Sequence, residues 1–526
     1  MRTFFERLDM LAGIDETGTA VQWLERFAYL FLVLTFVAAP HSIAATQTAW
    51  IIGMAAWVVR LFFKPRVRLH FGWLDAALWG LFVWSAISSF FSYEPLVSLN
   101  KLRGVAIFLI FYFVFYNVRT YRSAFFLAAV LIGSCIVNAL WMPVERIMGR
   151  GVEVHGLAAN GALAKARLLD GDTLLEVNGQ KVTTPEAVLA AVERTEVSRI
   201  KFYRPDFEFT VELKRNDLAA GGDALARLGA TEWKKSHNWR SKGFYGHYTT
   251  YAEVLQLIGS LAFGLFAAGV AGWLRRKELP EVGGRTSSLS IVLLGVSVGG
   301  IALALLLTVT RAPQLAFMIS SGVIVFLALG RRWFLTAMLV LVPIALGGLI
   351  FLQQSRRVDF FDRSDESTRY RQMMTQDGLR LWSENPRHLV FGVGMDSIQK
   401  HWQEWGLFDR GWQPMGHFHS TPVQLLVERG LPALLLWLGI LGIYVRTLWK
   451  GSKACPADWA SKGILLGCLG GLAGFVVSGL VHYNLGDQEV AMVLFMLMGL
   501  GVRLARLRSA KPDEGETAQA SVRLAA

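Results

Sequence analysis

The sequence is poor in charged residues and in cysteine, and both shortages restrict the class of protein. Only 18% of the 526 residues are charged, whereas 53% are hydrophobic and the mean hydropathy is +0.39. Because a soluble globular domain has about a quarter of its residues charged, this composition indicates a membrane protein. The three cysteines, Cys135, Cys455 and Cys468, have neither metal-ligand spacing nor an evident disulfide partner, so no cysteine-based metal site or disulfide framework is expected.

Several motifs of well-known enzyme classes are also missing. The sequence has no Walker A loop, no His-Glu-x-x-His pair and no Gly-x-Ser-x-Gly nucleophile elbow, and we expect no metal and no cofactor. The net charge of +13 would suit nucleic acid in a soluble protein. Here, however, most basic residues stand beside apolar segments, where they set membrane topology and contact anionic headgroups. The expected partners therefore include membrane lipids but no nucleic acid.

Apolar stretches of about 20 residues, the length that crosses a bilayer, recur along the chain. They predict an all-α polytopic membrane protein with about twelve transmembrane helices. The first stretch has no small-residue cleavage site, so we expect it to be an anchor rather than a signal peptide. The predicted spans are 22–39, 43–63, 71–91, 102–118, 122–142, 250–273, 287–309, 312–330, 333–352, 421–447, 461–482 and 486–504.

Basic residues predict the orientation of these spans. Arginine and lysine follow every even-numbered span, as Arg66 and Arg68 follow the second and Arg331 and Arg332 follow the eighth. Because cytoplasmic loops carry an excess of these residues, both termini are predicted to be cytoplasmic. Two long segments, 143–249 and 353–420, then lie on the outer side.

The first outer segment contains signals for a small α+β domain. Glycines predict a tight turn at 170–172, Asn178-Gly179 predicts a hairpin turn, and Thr184-Pro185 predicts the start of a helix that ends near Arg194. Two alternating strands, 199–204 and 207–214, close the domain. This order resembles a bacterial PDZ domain, which implies capture of a peptide by strand addition. The alternative is a packing insert that steers the neighbouring loop.

Aromatic residues alternate with cations just before the sixth span, at 231–247. This pattern is typical of an amphipathic segment at the membrane interface, and we predict that 217–249 is such a segment. The alternative role for its cations, including Arg240 and His247, is to hold a phosphate group.

Arginines near the outer face are candidates for binding a phosphate anion. Arg311 stands at the end of the seventh span, where a buried charge is costly and a guanidinium fork suits pyrophosphate. A snorkelling interfacial arginine is the alternative. Arg369 and Arg371 open a helix that is predicted to run to about Glu384. Because a cation is unfavourable in the first turn of a helix, a bound ligand would explain them, and a solvated loop charge is the alternative.

Histidines follow at the same predicted face. His419 precedes the tenth span, and a neutral imidazole can accept a proton from a hydroxyl group. His417 competes for this role, and contact with lipid headgroups is the alternative for both. Trp405 offers an aromatic face that suits either a sugar or the membrane interface. His482, near Asp487, is expected to support the site.

Four segments, taken in order, resemble the O-antigen ligase and polymerase superfamily. They are Gly243-Phe-Tyr-Gly246 before span six, Thr308-Val-Thr-Arg311, Arg371 fifteen residues before Pro386, and His419-Ser-Thr-Pro-Val-Gln424 with Glu428 and Gly430. Two departures from the family pattern are Ser420 in place of asparagine and a longer stretch between Pro386 and Gly392.

The resemblance implies a metal-independent, inverting glycosyltransferase at the periplasmic face of a bacterial inner membrane. Its donor would be a glycan on undecaprenyl pyrophosphate, and the favoured acceptor would be a hydroxyl of lipid A-core. Arg311 and Arg371 would hold the pyrophosphate, and His419 would activate the acceptor, so these three would be the catalytic residues. Lys101 and Arg103, in the loop predicted before span four, would add to the phosphate site.

The resulting layout has seven parts. They are helices one to five (1–142), the PDZ-like insert (143–216), the interfacial segment (217–249), helices six to nine (250–352), the periplasmic catalytic loop (353–420), helices ten to twelve (421–510) and a cytoplasmic tail (511–526). Alternative functions are an O-antigen or exopolysaccharide polymerase, a protein O-oligosaccharyltransferase that uses the insert to recruit a polypeptide, and a transporter of polar or lipid-linked solutes. The transporter is disfavoured because the polar groups gather at one face and no internal repeat is evident.

Overall fold

The computed structural model describes residues 2–14, 18–204, 207–274, 287–336, 366–412, 416–455 and 458–509, with four further positions between 338 and 347. These residues are mostly helical and form two compact units. The first unit consists of 1–138, 244–306 and 310–526, and the second consists of 139–243 with 307–309.

The N-terminal part of the chain folds as consecutive helices. Their caps follow from local sequence, since Ser42 accepts a hydrogen bond from the Ala45 N–H at the start of the third helix. The helices are α1 (Arg2–Ala12), α2 (Thr19–Ala38), α3 (Ile43–Arg60), α4 (Trp73–Phe90), α5 (Pro95–Val105), α6 (Leu109–Asn117) and α7 (Tyr121–Met148).

The second unit contains an antiparallel sheet with short helices. Its elements are β1 (Arg150–His155), α8 (Ala162–Lys165), β2 (Thr173–Val177), β3 (Gln180–Lys181), α9 (Pro185–Glu193), β4 (Val197–Arg204), β5 (Phe207–Lys214), α10 (Ala224–Leu228) and β6 (Glu232–Ser236). The strand order is β5-β4-β2-β1-β6, and β3 pairs with β2. Valine and leucine side chains from these strands and from α8 and α9 form one buried core.

The predicted elements of this unit are confirmed. Asn178 and Gly179 both have positive φ angles in the β2–β3 turn, and the Thr184 hydroxyl accepts a hydrogen bond from the Ala187 N–H at the start of α9. The structure adds a strand that the sequence did not predict, because β6 lies in the segment that was expected to be interfacial. Trp233 of β6 packs against the core of the sheet, and burial of this large side chain explains the pairing of β6 with β1.

The described residues after β6 form helices joined by loops. The elements are α11 (Tyr248–Leu274), α12 (Ser288–Leu307), α13 (Arg311–Leu329), α14 (Glu366–Ser383), α15 (Pro386–Phe391), α16 (Ser397–His401), α17 (Leu407–Gly411), α18 (Thr421–Lys453), α19 (Trp459–Gly479) and α20 (Gln488–Ser509).

Ten helical segments of the described residues are long and apolar enough to cross a membrane, which supports a polytopic membrane protein. They are α2, α4, α5 with α6, α7, α11, α12, α13, α18, α19 and α20. The predicted span 43–63 corresponds to α3, which is a helix but does not belong to these ten. Most of the predicted span 333–352 lies outside the described residues.

Small residues bring the central helices α11 and α19 into close contact. A Cβ atom added to Gly264 of α11 would collide with the backbone of Gly467 of α19, and one added to Gly463 would meet Leu265 Cα at 2.7 Å. Glycines at such positions allow transmembrane helices to pack backbone to backbone. This contact fixes the N-terminal end of α11 beside the C-terminal end of α19, where candidate site residues lie.

Candidate active site

His419 lies in a short irregular segment before α18. Phe418 is fully buried, packs against the ring of Phe408 at 5.3 Å, and donates its backbone N–H to Gln424 Oε1 at 2.6 Å. The rings of His417 and His419, on either side of Phe418, lie with their centroids 4.9 Å apart.

The first turn of α18 is anchored to the loop that follows α19. The Thr421 N–H donates to the His482 carbonyl at 3.1 Å, and the Thr421 hydroxyl donates to Asn484 Oδ1 at 2.8 Å. The Asn484 amide in turn donates to the Phe475 carbonyl of α19 at 2.8 Å. These bonds hold His419, two residues before Thr421, beside His482.

A buried glutamate of α11 completes this arrangement. Glu253 Oε1 lies 3.0 Å from His482 Nδ1 and accepts the Ser478 hydroxyl at 2.9 Å. The His482 ring and the Glu253 carboxyl group share this hydrogen bond. The Glu253–His482 pair thus fixes the ring orientation of a histidine next to His419.

Arg371 reaches the same region from α14. Met374 and Leu381, three and ten residues after Arg371, are buried on one face of this helix. On that face, a Cβ atom at Gly378 would lie only 2.6 Å from Val423 of α18. This close approach of α14 to α18 places the Arg371 charge near the histidines.

Burial and this concentration of charge keep the histidines neutral. Burial first, and then the charges of His417, His482, Arg371 and His247, lower the pKa of His419 to about 4. Burial and the Arg371 charge likewise lower the pKa of His482 to about 4. At neutral pH both imidazoles are therefore able to accept a proton.

The pKa of Asp487, just before α20, is shifted upwards and not downwards. Burial, and next the charge of Glu253, raise the pKa of Asp487 to about 7, and its Oδ2 accepts the Thr250 hydroxyl at 3.0 Å. The candidate site thus contains a carboxyl group whose protonation changes near neutral pH.

Two glycines clamp the loop of α14–α17 onto α18. The N–H groups of Val393 and Gly394 donate to the carbonyls of Val427 and Glu428 at 2.8 and 2.9 Å. Gly430 has φ 75°, and a Cβ atom there would overlap the Val390 carbonyl. Only glycine tolerates both this positive φ angle and the close approach of the Val390 carbonyl.

A cavity of about 140 Å³ lies next to this clamp, lined in part by Lys101, Asp396, Glu428 and Arg429. Lys101 pairs with Asp396 at 2.5 Å, and the Asp396 N–H donates to Glu428 Oε1 at 3.0 Å. Lys101 and Arg103 both lie on α5 and not in a loop, which corrects their predicted position. Their segment is helical because Pro95 starts a helix that continues towards α6.

The other predicted residues are distributed more widely. Arg369 is exposed on α14, and Arg311 is exposed at the first residue of α13. Trp405 is partly buried against the apolar cluster that includes Leu407, Phe408 and Phe418. Its ring stacks on His401 with centroids 5.0 Å apart. Arg240 belongs to the second unit, so its predicted role stays a prediction.

Glu253 and Arg429 are buried charges in the helices that the sequence patterns did not single out. Glu253 is 2% exposed and Arg429 is 6% exposed. A glutamate one turn inside an apolar helix is a signal of function in its own right, and it was available in the sequence. Arg429 lies between Glu428 and Gly430 of the recognised 419–430 motif.

Comparison with known proteins gives one informative match. Residues 296–438 match a family model described as O-antigen ligase, and this stretch includes Arg311, Arg371 and His419. No curated protein matches the chain. A solved chain described under "Structural coordination of polymerization and crosslinking by a peptidoglycan synthase complex" is 15% identical and has a TM-score of 0.38 over 84% of this chain and 100% of that chain. A likeness this distant supports no conclusion about fold or function.

Proposed function

We propose that the protein is a membrane glycosyltransferase of the O-antigen ligase type. It moves a glycan from undecaprenyl pyrophosphate to an acceptor hydroxyl, with lipid A-core favoured, at the periplasmic face of a bacterial inner membrane. The observation that carries the proposal is the position of neutral His419 beside the Arg371 charge, in the stretch that matches the O-antigen ligase family.

In this proposal His419 acts as general base. It accepts the proton of the acceptor hydroxyl while the hydroxyl oxygen attacks the anomeric carbon from the side opposite the leaving group. The bond from the anomeric carbon to the pyrophosphate oxygen breaks, and undecaprenyl pyrophosphate leaves with the electron pair, so the configuration inverts. Arg371 and Arg311 offset the charge that develops on the pyrophosphate, in the place that a divalent metal takes in other phosphate-binding enzymes. His417, Arg369 and Lys101 are proposed to contact the substrates.

The insert supports a narrower proposal for a polypeptide acceptor. Strand β5 is an edge of its sheet and exposes Phe207 and Phe209, so an extended peptide adding to this edge would find both backbone partners and an apolar surface. This is the PDZ-like function expected from the sequence, and it would favour a protein O-oligosaccharyltransferase over a lipid A-core ligase.

The test is transfer by the reconstituted protein in the presence of EDTA. A lipid-linked glycan is supplied with lipid A-core, a second lipid-linked glycan or a serine-rich protein, and released undecaprenyl pyrophosphate is measured. We expect release to depend on one acceptor and to fall about 10²- to 10⁴-fold in His419→Ala, the usual contribution of a general base. His155→Ala, in the second unit, is the matched control.

Retained turnover in both His419→Ala and Arg371→Gln would refute the proposal. Tight donor binding without release, whatever the acceptor, would favour a transporter.

A further inference from the structure

A second, larger cavity lies at the other end of α20 from the candidate active site. Its volume is about 490 Å³, and it is lined by residues of α2, α3, α6 and α20 and of the loop between α3 and α4. His482 and Asp487 precede the first residue of α20, whereas this cavity is lined by residues of the last two turns. The arginines that line it are Arg60, Arg66, Arg68, Arg119, Arg503 and Arg506.

Positive charge in this cavity exceeds what the protein itself neutralises. Among its described lining residues the one carboxylate is Glu25, which pairs with Arg60 at 2.7 Å and with Arg119 at 2.8 Å. Arg503 donates to the Val118 carbonyl at 2.7 Å.

Arg66, Arg68 and Arg506, in contrast, have no acidic partner within the part of the chain that the structure describes. Arg506 instead lies over the ring of Phe115, 4.8 Å from its centroid. Three guanidinium groups with unused donors around one cavity match the chemistry of a phosphate group.

The loop that supplies Arg66 and Arg68 is held in place at its base. Arg60 Nη1 donates to the carbonyls of Phe63 and Pro65 at 3.1 and 2.9 Å. These two hydrogen bonds fix the backbone that immediately precedes Arg66 and Arg68.

Large apolar side chains that flank Arg66 and Arg68 in the sequence are exposed. Phe62 is 82% exposed and Trp73 is 84% exposed, and Phe63, Leu69 and Phe71 are also exposed. Large aromatic side chains that alternate with cations are typical of a segment at the membrane interface. The ligand of the cavity is therefore expected to come from the bilayer.

We propose that this cavity binds the phosphate group of an anionic phospholipid. Arg66, Arg68 and Arg506 contact the phosphate, and the exposed aromatic residues of 62–73 lie among the adjoining acyl chains. Free phosphate shares the headgroup chemistry, but it would gain nothing from the exposed aromatic residues of 62–73. The site is separate from the proposed transfer reaction, so its test does not use transferase activity.

The experiment compares two charge-matched triple variants in detergent by native mass spectrometry. Arg66→Gln/Arg68→Gln/Arg506→Gln removes the cavity cations. Arg446→Gln/Lys450→Gln/Lys453→Gln removes three cations near the end of α18, none of which lines the cavity. Phosphatidylglycerol is the probe, phosphatidylcholine is the uncharged-headgroup reference, and inorganic phosphate at 10 mM is the competitor.

One basic side chain near a membrane surface strengthens binding of an anionic lipid by about fivefold, so the cavity variant is expected to bind phosphatidylglycerol about a hundredfold more weakly. The control variant is expected to lose less than about threefold. Equal loss in both variants, or no loss in the cavity variant, would overturn the proposal. Complete competition by inorganic phosphate would overturn the assignment to a lipid. Single Arg66→Gln, an exposed loop substitution, provides the same comparison should the triple variant fail to fold.

Discussion

The protonation of His419 predicts an unusual pH dependence. An ordinary histidine, with a pKa of about 6.5, is about 9% neutral at pH 5.5, whereas His419, with a pKa lowered to about 4, is about 97% neutral. The neutral imidazole is the proposed base, so activity is present above this pKa and is lost as the pH falls through it. We expect kcat/KM at pH 5.5 to stay within about 10% of its base-limited value, instead of falling about tenfold.

A substitution separates the cause of this shift from other effects of pH. Arg371→Gln removes a cation that disfavours the protonated imidazole, so the pKa of His419 rises and the acid limb of kcat/KM moves to higher pH. Arg371→Lys keeps the charge and is expected to restore the position of the limb even where its rate is lower. Arg410→Gln, an exposed substitution in the same loop, is the control.

The assay measures the initial rate of undecaprenyl pyrophosphate release between pH 4.5 and 8 at a donor concentration well below KM, where the profile reports the free enzyme. Unfolding is followed at each pH so that loss of folded protein is not counted as protonation. A midpoint near 6.5 in the unsubstituted protein, or a limb that does not move in Arg371→Gln, would refute the assignment of His419 as a neutral, charge-depressed base.

Three further substitutions test the packing. His482→Ala removes one of the two hydrogen bonds at Glu253 Oε1 and is expected to lower the free energy of unfolding by about 1–3 kcal/mol; no measurable cost would contradict the pairing. Gly430→Ala combines a positive φ with overlap against Val390, so we expect a loss of at least about 2 kcal/mol in chemical unfolding. Thr184→Ala removes the cap of α9 and should cost about 1 kcal/mol, visible as faster amide exchange only in its first turn.

The small insert was the most predictable part of the fold because its signals are local. Asn178-Gly179 specifies a two-residue turn, and Thr184-Pro185 specifies a helix start, whatever the rest of the chain does. Strand β6 was missed because its five residues are mostly polar and it forms by pairing with β1, about 80 residues earlier in the chain. Its place depends on a distant partner and not on its own pattern.

The same distinction, between local signals and contacts with distant parts of the chain, applies to the candidate site. His419 and Arg371 are predicted as site residues because each stands in a recognisable local motif. Glu253 and His482 are 229 residues apart, and nothing in either segment specifies the other. The small-residue contact between α11 and α19 brings them together, and this packing of helix backbones has only a weak sequence signal.

The structure also divides the 419–430 motif into residues that could react and residues that position them. Glu428 receives the Asp396 N–H, and Gly430 admits the Val390 carbonyl, so both hold the loop against α18. Gln424 receives the Phe418 N–H and thereby orients the segment that carries His419. A loss of activity in Glu428→Ala, which removes this acceptor, would therefore be accompanied by a loss of stability and would leave the acid limb of kcat/KM unmoved, whereas a catalytic carboxylate would shift that limb while the fold stayed intact.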